Sequence, residues 1–410
     1  MSESLALRRD EEASGAADKV RGSNQAGLRA HNERAVLSLI RRNGALAKAD
    51  IARRTGLSPQ TASVIMRALE AEKLVLRAEP RRGRVGQPSV PMRLNPDGAY
   101  AFGLKIGRRS LDIVLMDFVG TVRGRRSRPV PYPTPEGVCD FLAEALDALS
   151  DTLPPEARER VAGIGVGMPF QLWDWAAECG APPGAMDGWR GFDVSAALSA
   201  RTGLSVHVAN DATAACGAEH AFGGEEGTDF VYFFVGSFIG GGIVIDDALV
   251  VGRDNNAGAL GSMPVPRRDR PGAEQLIAVA SLHLLEAAAA ASGLTWSGMR
   301  DPAFDWTRLG TLLDAWIEEA ARGIAHAVAS ACAVYDFEAA VIDGAFPPFV
   351  RERLVEAVRA GLSRIDAQGL SPVAVRPGTI GAQAREIGAA SLPFFAKFLL
   401  DHRVLYAERS

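Results

Sequence analysis

The chain has 410 residues, of which 47% are hydrophobic and 23% charged, and its 45 Lys and Arg against 49 Asp and Glu leave a formal net charge of −4. This length predicts two or three domains, and the hydrophobic content suffices for large packed cores, which excludes a mostly disordered chain. The four cysteines lie far apart without a CxxC pair and the six histidines are scattered, which excludes a disulfide framework and predicts no bound metal.

The first 22 residues form a polar tail without a secretory signal, and we expect this tail to be disordered. The most apolar stretch, residues 230–245, is interrupted by glycines and is too short to span a bilayer comfortably. We therefore expect a cytoplasmic protein that does not bind membranes.

Residues 47–71 carry the pattern of a helix–turn–helix, preceded by a helix over about 27–42 that completes a three-helix core. A helix is predicted over residues 48–55. Gly56 then supplies the left-handed conformation of a tight turn, Ser58 is a good N-cap, and Pro59 suits the first position of a second helix that ends near Ala71. Its outward side chains are short polar or basic groups suited to base edges and phosphates, and the residues predicted to contact DNA are Ser58, Gln60, Thr61, Ser63 and Arg67.

A β-ribbon wing is predicted after these helices, with strands at residues 74–76 and 90–94 joined by a basic turn. The side chains of this turn are expected to contact phosphates or enter a minor groove: Arg81, Arg82, Arg84 and Gln87. Residues 21–95 hold 15 Lys and Arg against 5 Asp and Glu, in a chain that is acidic overall. A basic module on an acidic body is typical of binding to double-stranded DNA; a small three-helix adaptor with a solvated basic face is the alternative.

From residue 96 onward, predicted strands and helices alternate behind a turn formed by residues 95–98. Strands are predicted at residues 101–106, 111–118, 161–167, 206–209, 230–235, 242–245 and 339–342. Helices are predicted at residues 137–151, from about 211 to 221, and at 274–291, 307–333, 351–362 and 381–399. The pattern indicates an α/β body with mixed sheets and two lobes. The predicted organisation is a disordered tail (1–22), a winged helix–turn–helix domain (23–95) and the body (96–410).

Five segments of the body, taken in their order and spacing, resemble a known family: residues 163–169, the pair 188–189, and residues 210–215, 236–245 and 256–263. With the N-terminal module, the chain resembles the ROK family of repressors, open-reading-frame proteins and sugar kinases over about residues 24–400. The resemblance implies a two-lobed actin/hexokinase-like body behind a winged helix–turn–helix domain, in the transcriptional-regulator branch. It also implies a homodimer or tetramer and a small carbohydrate effector.

In the kinases of this family, the Asp of an Asn-Asp pair deprotonates a sugar hydroxyl and the Asn hydrogen-bonds the sugar; the pair corresponds here to Asp211 and Asn210. The resemblance implies an effector site made of Asn210, Asp211, Trp189, Asn256 and Ser262. From the residues alone, Asp211 is also open to a role as the N-cap of the helix that follows. Trp173 and Trp175 are open to stacking on a ligand ring or to ordinary packing.

Two departures from the family pattern affect the phosphate loops, and they predict that the body is not an enzyme and uses no cofactor. Residues 105–110 replace the first phosphate loop, with Lys105 in place of an acidic residue. Arg108 or Arg109 suits an anion, but the Mg²⁺–ATP geometry is lost. In the second loop, Phe238 would crowd a phosphate, which favours interpreting its glycines as a tight hairpin close to another backbone.

The sugar pocket departs from the family as well, because Ala259, Ser262 and Ile277 stand where polar sugar contacts are expected. Each lost hydrogen bond costs about 1–3 kcal/mol, so binding of an ordinary hexose in the family's manner is not expected. Residues 266–272 lack the cysteines of the family's zinc site, and no zinc is predicted.

These features predict a DNA-binding transcriptional regulator, a repressor of carbohydrate-related genes, whose catalytically inactive body binds a sugar or a sugar derivative. Two alternatives stay open. One is a ligand-independent scaffold for DNA binding and dimerisation, and the other is an active sugar kinase with an accessory DNA module.

Overall fold

In a computed structural model of the chain, we describe residues 27–80, 90–176, 180–224, 227–269, 271–294 and 304–400. They form two compact units: residues 27–99 together with 395–400 make up the first, and residues 100–394 make up the second. The elements are mixed α/β in the second unit and mainly helical in the first, which confirms the predicted fold class.

The first unit is a three-helix core with a short β-ribbon. Helix α1 covers 27–43, α2 covers Lys48–Thr55 and α3 covers Pro59–Ala71, while strands β1 (Val75–Arg77) and β2 (Met92–Leu94) pair antiparallel. Its buried side chains come from all of these elements: Val36, Leu37, Ile40, Ile51, Ala62, Ile65, Met66, Leu69, Val75 and Met92. The predicted three-helix core and ribbon are confirmed.

The ribbon begins one residue later than the sequence pattern predicts. Lys73 adopts a left-handed conformation with φ 62°, and the Leu74 N–H donates to the Leu69 carbonyl at 2.9 Å. These two features close the end of α3, a common arrangement in which orphan helix carbonyls find donors just beyond the last turn. Leu74 therefore belongs to the helix terminus, and the strand starts at Val75.

The second unit contains two five-stranded sheets with the same topology. The first has the strand order β5-β4-β3-β6-β7 and the second has the order β10-β9-β8-β13-β14. In each, three strands form an antiparallel meander and two more add in parallel. We call the parts built on these sheets lobe 1 and lobe 2.

The strands of lobe 1 are β3 (Tyr100–Ile106), β4 (Ser110–Asp117), β5 (Val122–Pro129), β6 (Val161–Met168) and β7 (Val206–Asn210). Those of lobe 2 are β8 (Phe230–Val235), β9 (Ile239–Ile245), β10 (Ala248–Leu249), β13 (Ala339–Gly344) and β14 (Ala374–Pro377), with a separate ribbon of β11 (Pro264–Pro266) and β12 (Ala273–Gln275). The helices are α4 (Pro135–Ser150), α5 (Pro155–Arg158), α6 (Val194–Thr202), α7 (Asp211–Phe222), α8 (Ile277–Ala280), α9 (Leu282–Ala291), α10 (Thr311–Val334), α11 (Pro348–Leu362) and α12 (Ala384–Lys397).

Helices α7 and α12 come so close to their neighbours that glycine is required at the contacts. A Cβ added at Gly165 of β6 would lie 1.7 Å from the Ala389 carbonyl oxygen of α12, and one added at Gly388 would lie 1.8 Å from the Ala214 carbonyl oxygen of α7. No side chain can occupy such a space. The first turns of the two helices are therefore held near each other.

Strand β5 of lobe 1 was missed by the sequence analysis, and the prediction of one long helix in lobe 2 was wrong. Strand β5 was not predicted, because its sequence lacks apolar alternation and most of its residues are exposed at the sheet edge. The predicted helix over 274–291 is instead β12, α8 and α9. Its break lies at the buried Ser281, whose backbone is extended (φ −83°, ψ 147°) and whose hydroxyl accepts from the Ile239 N–H at 3.0 Å.

Candidate functional site

The outward face of α3 is set by a well-formed helix start. Ser58 is extended, and its hydroxyl accepts from the Thr61 N–H at 3.1 Å and pairs with the Thr61 hydroxyl at 2.8 Å. Gln60, Thr61 and Arg67 are exposed, while Ser63 is half-buried and its carbonyl accepts from the Arg67 Nε at 3.4 Å. The first turn carries no acidic residue. Pro59 has no N–H and the Thr61 and Ala62 N–H groups donate to Ser58, so the Gln60 N–H is the group of this turn that can face a phosphate.

The wing residues predicted to contact DNA, Arg81, Arg82, Arg84 and Gln87, lie outside the described residues. Their role stays a prediction.

Val64 was missed by the sequence analysis, which predicted polar or basic side chains on the outward face of α3. Its side chain is 47% exposed, although the neighbouring Ile65 and Met66 are buried. At 100° per residue, Val64 falls between Gln60 and Thr61, in the middle of the outward stripe that runs from Arg67 to Thr61. An exposed branched side chain at this position suits contact with a thymine methyl group.

The second unit contains a cavity of about 1160 Å³ whose walls come from both lobes. The β3–β4 hairpin, the ends of β6 and β7, the β8–β9 hairpin and the first turn of α12 all contribute to it. Its polar and charged lining includes Lys105, Arg108, Asp112, Arg125, Asn210, Asp211, Asn256, Ser262, Gln275, Arg385 and Glu386.

Asn210, and not Asp211, caps helix α7. The Asn210 Oδ1 accepts from the N–H groups of Ala212 at 3.0 Å and Thr213 at 3.3 Å, so the interpretation of Asp211 as the cap is wrong. Asp211 is the first helical residue, and its Oδ2 lies 3.4 Å from Nη1 of Arg385, with both side chains largely buried. Because Asn210 caps the helix, the Asp211 carboxylate faces the cavity and pairs there with Arg385.

The three other predicted effector residues differ in their placement. Asn256 and Ser262 line the cavity. Trp189 does not: it is buried in the core of lobe 1, its Nε1 donates to the Pro133 carbonyl at 2.9 Å, and its ring meets Phe192 edge-on. A buried indole with a satisfied N–H has no face left for a ligand, so we remove Trp189 from the predicted set.

The β3–β4 hairpin holds an internal ion pair where the sequence resemblance implies the first phosphate loop. Lys105 and Asp112 face each other across the two strands, and the Lys105 Nζ donates to Asp112 Oδ2 at 3.0 Å and to the Ser110 hydroxyl at 2.9 Å. The other Asp112 oxygen accepts from Ser127 at 2.5 Å and Arg125 at 3.2 Å. Burial acts to raise the pKa of Asp112, but Lys105 and the hydroxyl donors outweigh it and hold the pKa well below its usual value.

Glu386, at the start of α12, is the member of this network whose hydrogen bonding is incomplete. Its side chain is buried, its Oε1 lies 3.4 Å from Arg125, and its Oε2 has no hydrogen-bond partner among the described residues. Burial, followed by the charge of Asp112, raises the pKa of Glu386 above its usual value. Nothing in the sequence near residues 385–386 signals this arrangement, because the partners lie more than 170 residues away.

The two hairpins that correspond to the phosphate loops are bridged by side chains. The Arg108 guanidinium from the β3–β4 turn lies 4.1 Å from the Trp175 ring centroid and 3.8 Å from that of Phe238, which belongs to the β8–β9 turn. Phe238 stacks in turn on His283 at 4.5 Å. Beside this stack, Arg109 pairs with Glu286 of α9 at 3.3 Å. Trp175 is therefore a packing partner of Arg108 and not a free stacking surface.

The glycines of the second loop lie within strand β9, where β8 and α7 approach closely. Gly240–Gly242 pair with Tyr232–Phe234, and a Cβ on Gly242 would lie 2.5 Å from the Cβ of Cys216. This agrees with the interpretation of these glycines as sites of close backbone approach. Within the described ranges, no group of three or more His, Cys, Asp or Glu is arranged to hold a metal ion. No helix in the described part of the chain is both long and apolar enough to cross a membrane.

The fold and these two sites define a class of protein: a winged helix–turn–helix joined to a body of two lobes with repeated topology and a cleft between them. Comparison with known proteins makes this specific. Residues 101–277 match the model of the ROK family, and residues 29–75 match that of a winged helix–turn–helix DNA-binding domain. Residues 101–277 are thus a ROK family domain, and they follow an N-terminal winged helix–turn–helix domain.

Known proteins are similar to this chain in sequence or in fold. The uncharacterized protein y4fQ of Sinorhizobium fredii is 28% identical over 90% of this chain and 91% of its own length. The xylose repressor of Bacillus subtilis is 25% identical over 57% of this chain and 60% of its own length. A crystal structure of a ROK family transcriptional regulator, a homologue of the E. coli MLC protein, shares the fold with a TM-score of 0.63 at 20% identity, covering 89% of this chain and 95% of that one.

Proposed function

We propose that the chain is a sequence-specific DNA-binding transcriptional repressor of carbohydrate-related genes, and that its two-lobed body binds a carbohydrate effector. The observation that carries the proposal is the surface of α3. A capped helix presents Gln60, Val64 and Arg67 on one exposed stripe, combining amide, apolar and guanidinium groups that suit the edges of bases. The relatives named as repressors support the same conclusion.

A gel-shift assay with fragments of the organism's own DNA tests this proposal. We expect a small subset of fragments to be retained in the presence of excess non-specific competitor, and the Gln60→Ala variant to lose that selectivity. Failure to retain any fragment at physiological salt would contradict the proposal. That salt concentration is informative because non-specific binding falls steeply as salt rises.

We propose that the effector binds in the cleft, through Asn210, Asp211, Asn256 and Ser262. The amide and carboxylate groups of the first two can hold sugar hydroxyls, and Gln275 adds a further amide on the cavity wall. An effector that prefers one arrangement of the lobes would change the half-site spacing of a homodimer or tetramer on a palindromic operator. A protein acting on DNA in this way works in the cytoplasm, with residues 23–95 as its DNA-binding domain and residues 96–410 as its effector and assembly domain.

We also propose that the body has no kinase activity and uses no cofactor. Phosphoryl transfer depends on positioning a nucleotide and its metal ions. The stack of Arg108 between Trp175 and Phe238 stands between the two hairpins, and Lys105 is committed to Asp112. Incubation with ATP, Mg²⁺ and a panel of sugars is expected to yield no sugar phosphate, and measurable turnover on any sugar would contradict this part of the proposal.

A second candidate, a scaffold that assembles on DNA without a ligand, is favoured by two features of the cavity. Asp211 is already paired with Arg385, and the apolar Ala259 and Ile277 line the same cavity. A thermal-shift screen of carbohydrates separates the two candidates, because only an effector-binding body gains stability from a ligand.

A further inference from the structure

We propose that the effector is longer than one sugar ring, and that a second ring, a sugar or a planar aglycone, lies against Phe170 and Phe349. This inference rests on the proposed effector role of the cleft and names the class of ligand it takes.

Exposed aromatic rings carry the argument. Among the described residues, eight large hydrophobic side chains are exposed, and two of these are aromatic: Phe170 at 42% and Phe349 at 39%. Both line the cavity. Phe170 follows β6 in lobe 1, whereas Phe349 lies in the first turn of α11 in lobe 2. The cleft therefore presents an uncovered aromatic surface from each lobe.

The surroundings of these rings make a ligand contact the best explanation of their exposure. Elsewhere in the second unit, phenylalanines such as Phe102, Phe233 and Phe394 are fully buried in the cores. Trp306 and Phe346 also line the cavity but are themselves buried, so Phe170 and Phe349 are the aromatic side chains of this group that are exposed. Aromatic rings left open in a cleft are typical of sites that bind the apolar face of a ring.

The cavity has room for two rings with different requirements. Cavities for drug-sized ligands are roughly 300–1,000 Å³, and this one, at about 1160 Å³, exceeds that range. Asn210, Asp211 and Asn256 supply polar groups for the hydroxyls of one ring, while Ala259 and Ile277 leave fewer polar contacts than a lone hexose would need. Contact of a second ring with Phe170 and Phe349 would supply the affinity that is lost because Ala259 and Ile277 stand where polar sugar contacts are expected.

A nucleotide is the competing occupant, because a base would also stack on phenylalanine. The passage between the two hairpins that its phosphates would need is bridged by Arg108 and Phe238. A disaccharide or a glycoside has no such need, and we commit to that class.

Isothermal titration of the full-length protein with matched series tests the inference. Each series contains a free sugar, its β-1,4-linked disaccharide and its phenyl β-glycoside, starting from xylose, glucose and N-acetylglucosamine. In one series, the disaccharide or the phenyl glycoside is expected to bind at least tenfold more tightly than the free sugar. The member that gains, disaccharide or phenyl glycoside, identifies the second ring as sugar or aglycone.

Substitution of each phenylalanine tests whether the tighter binding of the two-ring ligand depends on Phe170 and Phe349. Phe170→Ala and Phe349→Ala are each expected to reduce the tenfold gain to less than threefold while leaving the affinity for the free sugar unchanged. Val208→Ala removes a side chain that is 41% exposed and does not line the cavity, so it should change nothing. Circular dichroism of each variant checks that it is folded.

Three results would overturn the inference: equal affinity across every series, a gain that survives both phenylalanine substitutions, or tighter binding of ATP or adenosine than of every glycoside. Absence of any carbohydrate binding by a protein that still selects an operator would overturn it too, and would leave the DNA-binding function standing. Failure to select any DNA, with glycoside binding intact, would instead remove the proposed regulatory role.

Discussion

Val64 gives the DNA-reading surface a contact that can be tested at the level of one methyl group. If its side chain meets a thymine methyl, replacing that thymidine by deoxyuridine in a selected operator removes the contact and leaves every hydrogen-bonding group in place. We expect the wild-type protein to lose about 1 kcal/mol, roughly fivefold in affinity, at one position of each half-site. The measurement is fluorescence anisotropy with a set of singly substituted duplexes.

The Val64→Ala variant serves as the second arm of this measurement. It should bind the thymidine and deoxyuridine duplexes equally, whereas Thr61→Ala should keep the wild-type sensitivity to the methyl group. A wild-type protein that is indifferent to deoxyuridine at every position would contradict a role for Val64 in reading thymine.

Glu386 makes the stability of the body depend on pH. Its folded pKa is raised by burial, so the folded state holds a proton that the unfolded state releases above about pH 4.5. The free energy of unfolding should therefore fall as pH rises from 4.5 through the folded pKa, by about 1.4 kcal/mol for each unit between the two pKa values. Urea denaturation at pH 5 and pH 8 measures this fall.

Glu386→Gln removes the titrating group and should flatten the pH dependence, becoming more stable than the wild type at the higher pH. Glu352→Gln, on the exposed surface of α11, is the matched control and should leave the profile unchanged. Identical profiles for wild type and Glu386→Gln would show that this carboxyl does not titrate with folding.

Among the elements, the β3–β4 hairpin differs most from a nucleotide-binding loop, because an ion pair lies inside it. Lys105→Met should leave Asp112 buried with only Arg125 and hydroxyl donors, and breaking a buried pair costs about 3–5 kcal/mol. We expect the lower part of this range, since Arg125 remains. Urea denaturation of the variant, compared with the exposed Arg126→Met, measures the cost, and a loss below about 0.5 kcal/mol would contradict the role given to the pair.

The sequence predicts those elements best whose burial is uniform. Strand β8 lies at the predicted residues because all of its side chains are apolar and buried. The turn at Gly56 and the cap at Ser58 were predictable because glycine and serine are preferred at these positions. Strand β5 escapes prediction because an edge strand rich in arginine has no apolar period. Ser281 breaks a helix for a tertiary reason, its hydrogen bond to the Ile239 backbone, that no local pattern contains.

The candidate cleft was predictable only in part for the same reason. Asn210 and Asp211 stand in a recognisable motif, although their tasks had to be separated by geometry: one caps the helix and the other faces Arg385. The stack of Trp175, Arg108 and Phe238 joins residues from three distant segments. Side chains that meet only through the packing of two lobes leave no signal in the spacing of a single sequence.

At the scale of the whole molecule, the DNA-binding unit and the proposed effector site lie in one chain, and this link has a thermodynamic consequence. If an effector lowers the affinity for the operator, then the operator must lower the affinity for the effector by the same factor. Titration of the effector into the free protein and into the protein saturated with operator should give dissociation constants that differ by about 5–150-fold. Equal constants would contradict effector control and favour the ligand-independent scaffold.

Recognition of a DNA sequence by α3 can be tested by selection of binding sites from a random duplex library with the full-length protein. The enriched site is then compared with a scrambled duplex by competition anisotropy at physiological salt. We predict one enriched motif, bound about 10³-fold or more tightly than the scrambled duplex. Arg67→Ala should lose most of this preference, whereas Arg126→Ala, an exposed arginine of the body, should keep it. Enrichment of no motif, or an unchanged preference in Arg67→Ala, would contradict the claim.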